Sequence, residues 1–193
     1  MQITLLPGDA LLVVDMQNDF LPGGSLAVPE SAAIVPRVNS AIKRFLLKGL
    51  PVFASRDYHP ENHCSFVVSG GQWPPHCVAG TWGAEFHPDL QLPESAIVIS
   101  KATDAAREAY SALDSTPLAT MLETMTVERL FVCGLATDYC VLFTTRDLLA
   151  AGYQVALITD CMRAVDVQAG DGDRALQSLI GLGAITTTTD ELS

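Results

Sequence analysis

Apolar positions along this chain come in short runs, and between the runs they recur at helical spacing. Ala10–Val14 is the first run and reads as a strand. Ser31–Lys48 then shows the pattern of an amphipathic helix, closed by Gly49. Strands are expected again at Pro51–Ser55 and Ala96–Ser100. Thr116 followed by Pro117 looks like an N-cap with proline at the first helical position, opening a helix to about Met125. Leu130–Cys133 is a further strand, and a helical pattern runs from Val141 to Ala150. A strand at Gln154–Ile158, a helix from about Asp173 to Ile180 and a strand at Ala184–Thr187 complete the series. Alternation of this kind implies an α/β fold, with a mostly parallel central sheet and helices on both faces.

One stretch breaks the alternation. Residues 56–95 show little periodicity, yet they carry all four histidines, both tryptophans and five prolines. Irregular segments longer than about 15 residues inside compact domains are usually functional or disordered. Aromatic and proline content favours an ordered excursion, one that walls a pocket. The chain as a whole, residues 1–193, is expected to form one domain, because 49% hydrophobic content supplies one substantial core.

The residues that follow each strand point to one edge of the sheet. Asp15 follows the first, Asp57 and His59 the second, and Lys101 the third. After the Leu130 strand comes Gly134-Leu135-Ala136-Thr137-Asp138-Tyr139-Cys140, and then helix. Ligands of open parallel sheets bind beyond the carboxyl ends of the strands. A thiol in the first turn of a helix faces unpaired N–H groups and the positive end of the helix dipole, which should favour thiolate and lower its pKa. The same N–H groups could hold an oxyanion on whatever the sulfur attacks.

Charge narrows the partners. A net charge of −11 argues against nucleic acid or an anionic membrane. No apolar run approaches the ~20 residues of a membrane span, and the first residues lack a basic signal-peptide start. Five cysteines without a C-x-x-C pair suit a reducing cytoplasm better than a disulfide framework. Pro22-Gly23-Gly24-Ser25 lacks the lysine and spacing of a P-loop, and Gly170-Asp171-Gly172-Asp173 reads as a helix start rather than a calcium loop.

Three constellations carry chemistry. Asp15, Lys101 and Cys140 offer a base, a charge-stabilising ammonium and a nucleophile; alone, the same residues also read as a strand-ending Asp, a surface Lys and a small buried Cys. Asp57-x-His59, with His63 and His76, suits a divalent metal with open positions, Zn²⁺ being the usual occupant; hydrogen-bonded histidines, or a structural site using Cys64 and Cys77, are the alternatives. Phe20, Trp73 and Tyr110 could clamp a flat ring or simply belong to the core. Among the remaining cysteines, Cys133 lies in an apolar strand and reads as core.

In chain order these pieces resemble the nicotinamidase branch of the isochorismatase-like cysteine hydrolases. The resemblance rests on Val14-Asp15-Met16-Gln17-Asn18-Asp19-Phe20, Ser55-Arg56-Asp57-Tyr58-His59-Pro60 and Trp73-Pro74-Pro75-His76-Cys77. Lys101-Ala102-Thr103-Asp104, Glu108-Ala109-Tyr110-Ser111, the Gly134–Cys140 turn and Thr159-Asp160-Cys161 continue it. It implies a three-layer α/β/α fold and hydrolysis of nicotinamide by an Asp15–Lys101–Cys140 triad through a thioester. It implies Asp57, His59 and His76 as ligands of a divalent metal, Zn²⁺ first and Mn²⁺ or Fe²⁺ as alternatives. His63 is then a fourth ligand or a structural residue. The resemblance further implies that Phe20, Trp73 and Tyr110 line the pyridine pocket and that N–H groups of Ala136 and Cys140 form the oxyanion hole, Leu135–Ala136 being commonly a cis peptide in the family.

The resemblance also implies a cytoplasmic enzyme of pyridine nucleotide salvage, with a small-molecule substrate, and it leaves a homo-oligomer open. Two positions depart from the family pattern. Tyr139 precedes the cysteine where many relatives carry His or Val. Ala102 stands where Gly is frequent, which implies no need for positive φ there. The competing readings are another small amide, a carbamate or a vinyl ether as substrate, and a non-catalytic zinc or redox-thiol protein.

Overall fold

Strand β1 (Asp9–Val14) is buried along its whole length, so its sequence is a continuous apolar run rather than an alternating one. That is the signature of a strand covered on both faces, and β1 lies at the middle of the sheet. The structure is a computed structural model describing residues 2–193. After β1 come helix α1 (Val35–Leu47), β2 (Val52–Asp57), β3 (Ile97–Lys101), α2 (Leu118–Thr124) and β4 (Arg129–Leu135). Helix α3 (Cys140–Ala150), β5 (Gln154–Arg163), α4 (Asp171–Gly181) and β6 (Ile185–Thr187) complete the order.

All pairings are parallel, and the strands lie in the order β3-β2-β1-β4-β5-β6. The chain therefore winds outward in one direction through β3 and in the other through β6. The reversal falls between β1 and β4, and the crevice beyond their carboxyl ends is where such sheets bind ligands. Alternate residues of one strand feed two cores. Leu11 and Val13 pack with Val38, Ile42 and Phe45 of α1, whereas Leu12 and Val14 share a core with Leu118, Leu122, Val141, Leu148 and Leu179 from α2, α3 and α4. Four helices thus cover two faces, giving the expected α/β architecture with a fully parallel sheet.

Several boundaries move from their sequence-based positions. Ser31–Ile34 forms a 3₁₀ turn before α1 proper. Helix α2 begins only at Leu118, with Pro117 as the cap residue; the Thr116 hydroxyl still accepts the Leu118 N–H at 3.3 Å. Strand β5 runs five residues beyond Ile158, after a register shift opposite Val132 and Gly134. Gly134 has φ +110, and a Cβ there would meet the Val14 carbonyl oxygen at 2.0 Å. Only glycine lets β4 lie this close to β1 beneath the crevice.

The 56–95 stretch is packed, as its composition suggests. Isolated bridges tie Gln17 to Phe86, His59 to Val78 and Phe66 to Trp73, and Phe66 is fully buried. No helix among the described residues is long and apolar enough to cross a membrane.

Candidate active site

Asp15 is the first residue after β1 and adopts φ +49, a left-handed conformation that Asp tolerates better than most residues. Ser55 of β2 donates a hydrogen bond to its Oδ1 at 2.7 Å. Lys101, the last residue of β3, is buried. Its Nζ lies 3.0 Å from Asp15 Oδ2, 2.5 Å from Asp57 Oδ1 and 3.3 Å from Cys140 Sγ. Burial opposes the lysine charge, but Asp15 and Asp57 outweigh it and hold its pKa well above the ordinary value.

The two carboxylates on this one ammonium differ. Burial raises the Asp15 pKa even against Lys101, so its carboxylate readily takes a proton. Burial also works against charge on Asp57, yet Lys101, with help from His59, holds that carboxyl well below the usual range. Neighbouring acids pushed apart in this way fall into separate roles: Asp15 suits a base, Asp57 a permanent anion.

Cys140 opens α3, as the motif indicated, but its burial works against the depressed thiol pKa expected from the helix terminus. Burial pushes the thiol well above its ordinary value; Lys101 pulls down, while Asp15 and Asp57 push further up. A helix N-terminus and one ammonium do not offset desolvation flanked by two carboxylates. A thiol so placed depends on a neighbouring base to ionise.

Asp57, His59 and His76 place their ligand atoms within 4.8 Å of one another, and all three are buried. His59 Nδ1 faces the Ala102 carbonyl at 3.3 Å, and His76 Nδ1 the Pro74 carbonyl at 2.8 Å. A carbonyl only accepts, so each Nδ1 donates to it, leaving Nε2 as the ligand atom of a neutral ring. His59 Nε2 is buried without a hydrogen-bond partner among the described residues and lies 3.6 Å from Asp57 Oδ2. An orphaned imidazole nitrogen beside a permanent anion and a second imidazole is a donor set that fits a divalent metal. His63 stands apart from this set. Its Nδ1 meets Ser65 Oγ at 2.7 Å and its Nε2 the Arg107 carbonyl at 3.0 Å, which favours the structural role of the two expected for it.

Between the two clusters lies a small cavity. Asp57, His76 and Cys140 border it, and Phe20, Trp73 and Tyr110 all line it. Trp73 Nε1 donates to the Tyr110 hydroxyl at 2.9 Å, so the two rings hold each other. Leu26, Val28 and Val165 also line it and were not expected from sequence, and Tyr139 joins them. Tyr139 packs edge-on against Trp73 at 5.1 Å, which makes this departure from the family pattern part of the pocket wall. Ala136 also borders the cavity, and the Leu135–Ala136 peptide is cis.

Ala102 requires a second correction. It adopts φ +52 despite its side chain. The turn after Lys101 aims the Ala102 carbonyl at His59, and that tertiary bond overrides the residue's local preference. Ser55 and Gln17 were also missed; Ser55 could have been noticed as a hydroxyl closing an otherwise apolar run two residues before Asp57.

The isochorismatase domain pattern matches residues 9–191. The chain belongs to the isochorismatase family. Within the family, the nicotinamidase of Escherichia coli is 39% identical over 204 aligned positions, spanning 95% of this chain and 96% of that protein. The pyrazinamidase of Pyrococcus horikoshii, solved in complex with zinc, is 47% identical with a TM-score of 0.91, covering 94% of this chain and 99% of that one. PnC1 from L. infantum, solved in complex with nicotinate, is 36% identical with a TM-score of 0.93, covering 100% of this chain and 99% of that one.

Proposed function

We propose that this chain is a metal-dependent cysteine amidase that hydrolyses nicotinamide to nicotinate and ammonia. The observation that carries the reading is one cavity lined by Phe20, Trp73 and Tyr110 and bordered both by Cys140 and by Asp57 and His76 of the donor set. Relatives named for nicotinamide and pyrazinamide hydrolysis, and a neighbour solved with nicotinate, support the same substrate class.

Asp57, His59 and His76 would hold a divalent metal, Zn²⁺ by donor type with Mn²⁺ and Fe²⁺ as alternatives. Such a metal would supply a Lewis-acid anchor for a pyridine nitrogen. Phe20, Trp73 and Tyr110 would flank the ring and exclude water from its faces. With the carboxamide at the sulfur, Asp15 takes the Cys140 proton as the C–S bond forms. Lys101 holds the negative charge in place during that transfer. Backbone N–H groups of Ala136 and Cys140 would receive the oxyanion. Asp15 then delivers the proton to the departing ammonia as the C–N bond breaks. Water adds to the thioester with Asp15 as base, and the thiol is restored with nicotinate released. Residues 1–193 act here as one catalytic unit.

The test is ammonia release from nicotinamide by zinc-loaded protein beside Cys140→Ala. Turnover in the parent and none in the variant is the expected outcome. No turnover from folded, zinc-loaded parent would overturn the substrate assignment.

A further inference from the structure

Asp57 is the residue both clusters share, and its backbone has lost its natural partner. Strand β1 pairs with β2 only as far as Val14 opposite Ser55. Asp15 then turns away with positive φ, after its own N–H has bonded the Ser55 carbonyl. The next residue of β2 to face β1 is Asp57, and no β1 peptide remains to meet it. Buried peptide groups left in that position need substitutes.

The substitute is a side chain. Gln17 is fully buried, and its Oε1 accepts the Asp57 N–H at 2.7 Å while its Nε2 donates to the Asp57 carbonyl at 2.7 Å. The second Nε2 hydrogen goes to the Ala84 carbonyl at 2.9 Å. The carboxamide thus imitates the missing peptide unit of β1, extending the ladder by one residue. With the backbone fixed, the Asp57 carboxylate divides its oxygens: Oδ1 meets Lys101, and Oδ2 turns toward His59 Nε2.

We propose that Gln17 is a positioning residue that sets Asp57 for metal binding. The inference rests on Asp57, His59 and His76 being the metal ligands. Gln17 touches neither metal nor cavity and acts only through the Asp57 backbone. Groups that orient a ligand in this way typically change metal affinity by about 10–100-fold when removed.

A neighbouring residue provides the control. Asn18 is also buried, and its Nδ2 donates to the Trp82 carbonyl at 2.8 Å, fastening the same loop without touching Asp57. General loosening of the loop would affect both residues alike.

The experiment measures zinc dissociation constants by competition with a chromophoric chelator, on metal-free full-length protein. Gln17→Ala is expected to bind zinc about 10–100-fold more weakly than the parent, with Asn18→Ala close to the parent. Gln17→Met keeps most of the side-chain volume without the three hydrogen bonds, and it should match Gln17→Ala; it decides the matter if the alanine variant fails to fold. Parent-like affinity in Gln17→Met, or an equal loss in Asn18→Ala, would overturn the inference. A parent that binds no zinc, or an Asp57→Ala variant that binds it fully, would remove the metal-site reading and the inference with it.

Discussion

The two ends of the cavity are built by different means. The thiol end stands on the sheet: Asp15 follows β1, Lys101 ends β3, and Cys140 opens α3 after the turn that follows β4. The imidazole end stands mainly on an irregular loop, where backbone carbonyls of Pro74 and Ala102 orient each ring. Asp57 joins them, ending β2 while facing both Lys101 and His59. The sheet supplies reactive atoms whose spacing tolerates little error, and the loop supplies a donor set that depends on second partners. Damage to one end should therefore leave the other measurable.

The largest separation of the two ends comes from the sulfur. Cys140→Ala should abolish ammonia release, because no other group can carry the acyl intermediate, while zinc affinity stays at the parent value. Zinc binding lost together with turnover would merge the two ends into one unit. Next, Asp15→Asn removes the base and should lower kcat by about 10²–10⁴, again with zinc retained.

A pH profile probes the thiol end more gently. Burial raises the Asp15 pKa above 3.8, so this carboxylate is still protonated at pH values where an ordinary aspartate has ionised. The base is lost as pH falls through that raised value. Under zinc saturation, kcat/KM should accordingly drop on the acid side with a midpoint above 3.8. Because the thiol pKa lies well above its ordinary value, a profile governed by free thiolate would instead climb steadily through alkaline pH, and that shape would contradict proton transfer to Asp15.

The smallest expected effect lies at the hinge between the ends. Ala102→Gly relieves a left-handed alanine but adds freedom to the unfolded chain, for a net gain of up to about 1 kcal/mol in stability. Thermal or denaturant unfolding would show it, and a clear destabilisation would mean that the methyl packing outweighs the backbone conformation.

What was legible in the sequence divides along the same line. Strand runs such as Leu11–Val14 and Leu130–Cys133 announce a covered sheet, and once the strands are parallel their following residues must share an edge. Both the thiol end and the histidines were therefore visible as candidates from pattern, and the family motifs favoured the chemical reading of each over the bland one. Properties set by tertiary surroundings were not. The Cys140 pKa depends on how deeply α3 buries its first turn. Ala102 takes positive φ where its carbonyl accepts a hydrogen bond from a histidine of another segment. The role of Gln17 needs a pairing across 40 residues of sequence, with a side chain imitating backbone. Leu26, Val28 and Val165 become pocket walls only when the loops close over the crevice.

The account stands on the two ends acting on one molecule of nicotinamide. The most direct measurement is ammonia release from nicotinamide by metal-stripped protein titrated with zinc. Turnover is expected to be negligible without metal, to rise as zinc is added and to level off when the Asp57–His59–His76 site is full. Full turnover by the metal-free protein would contradict it.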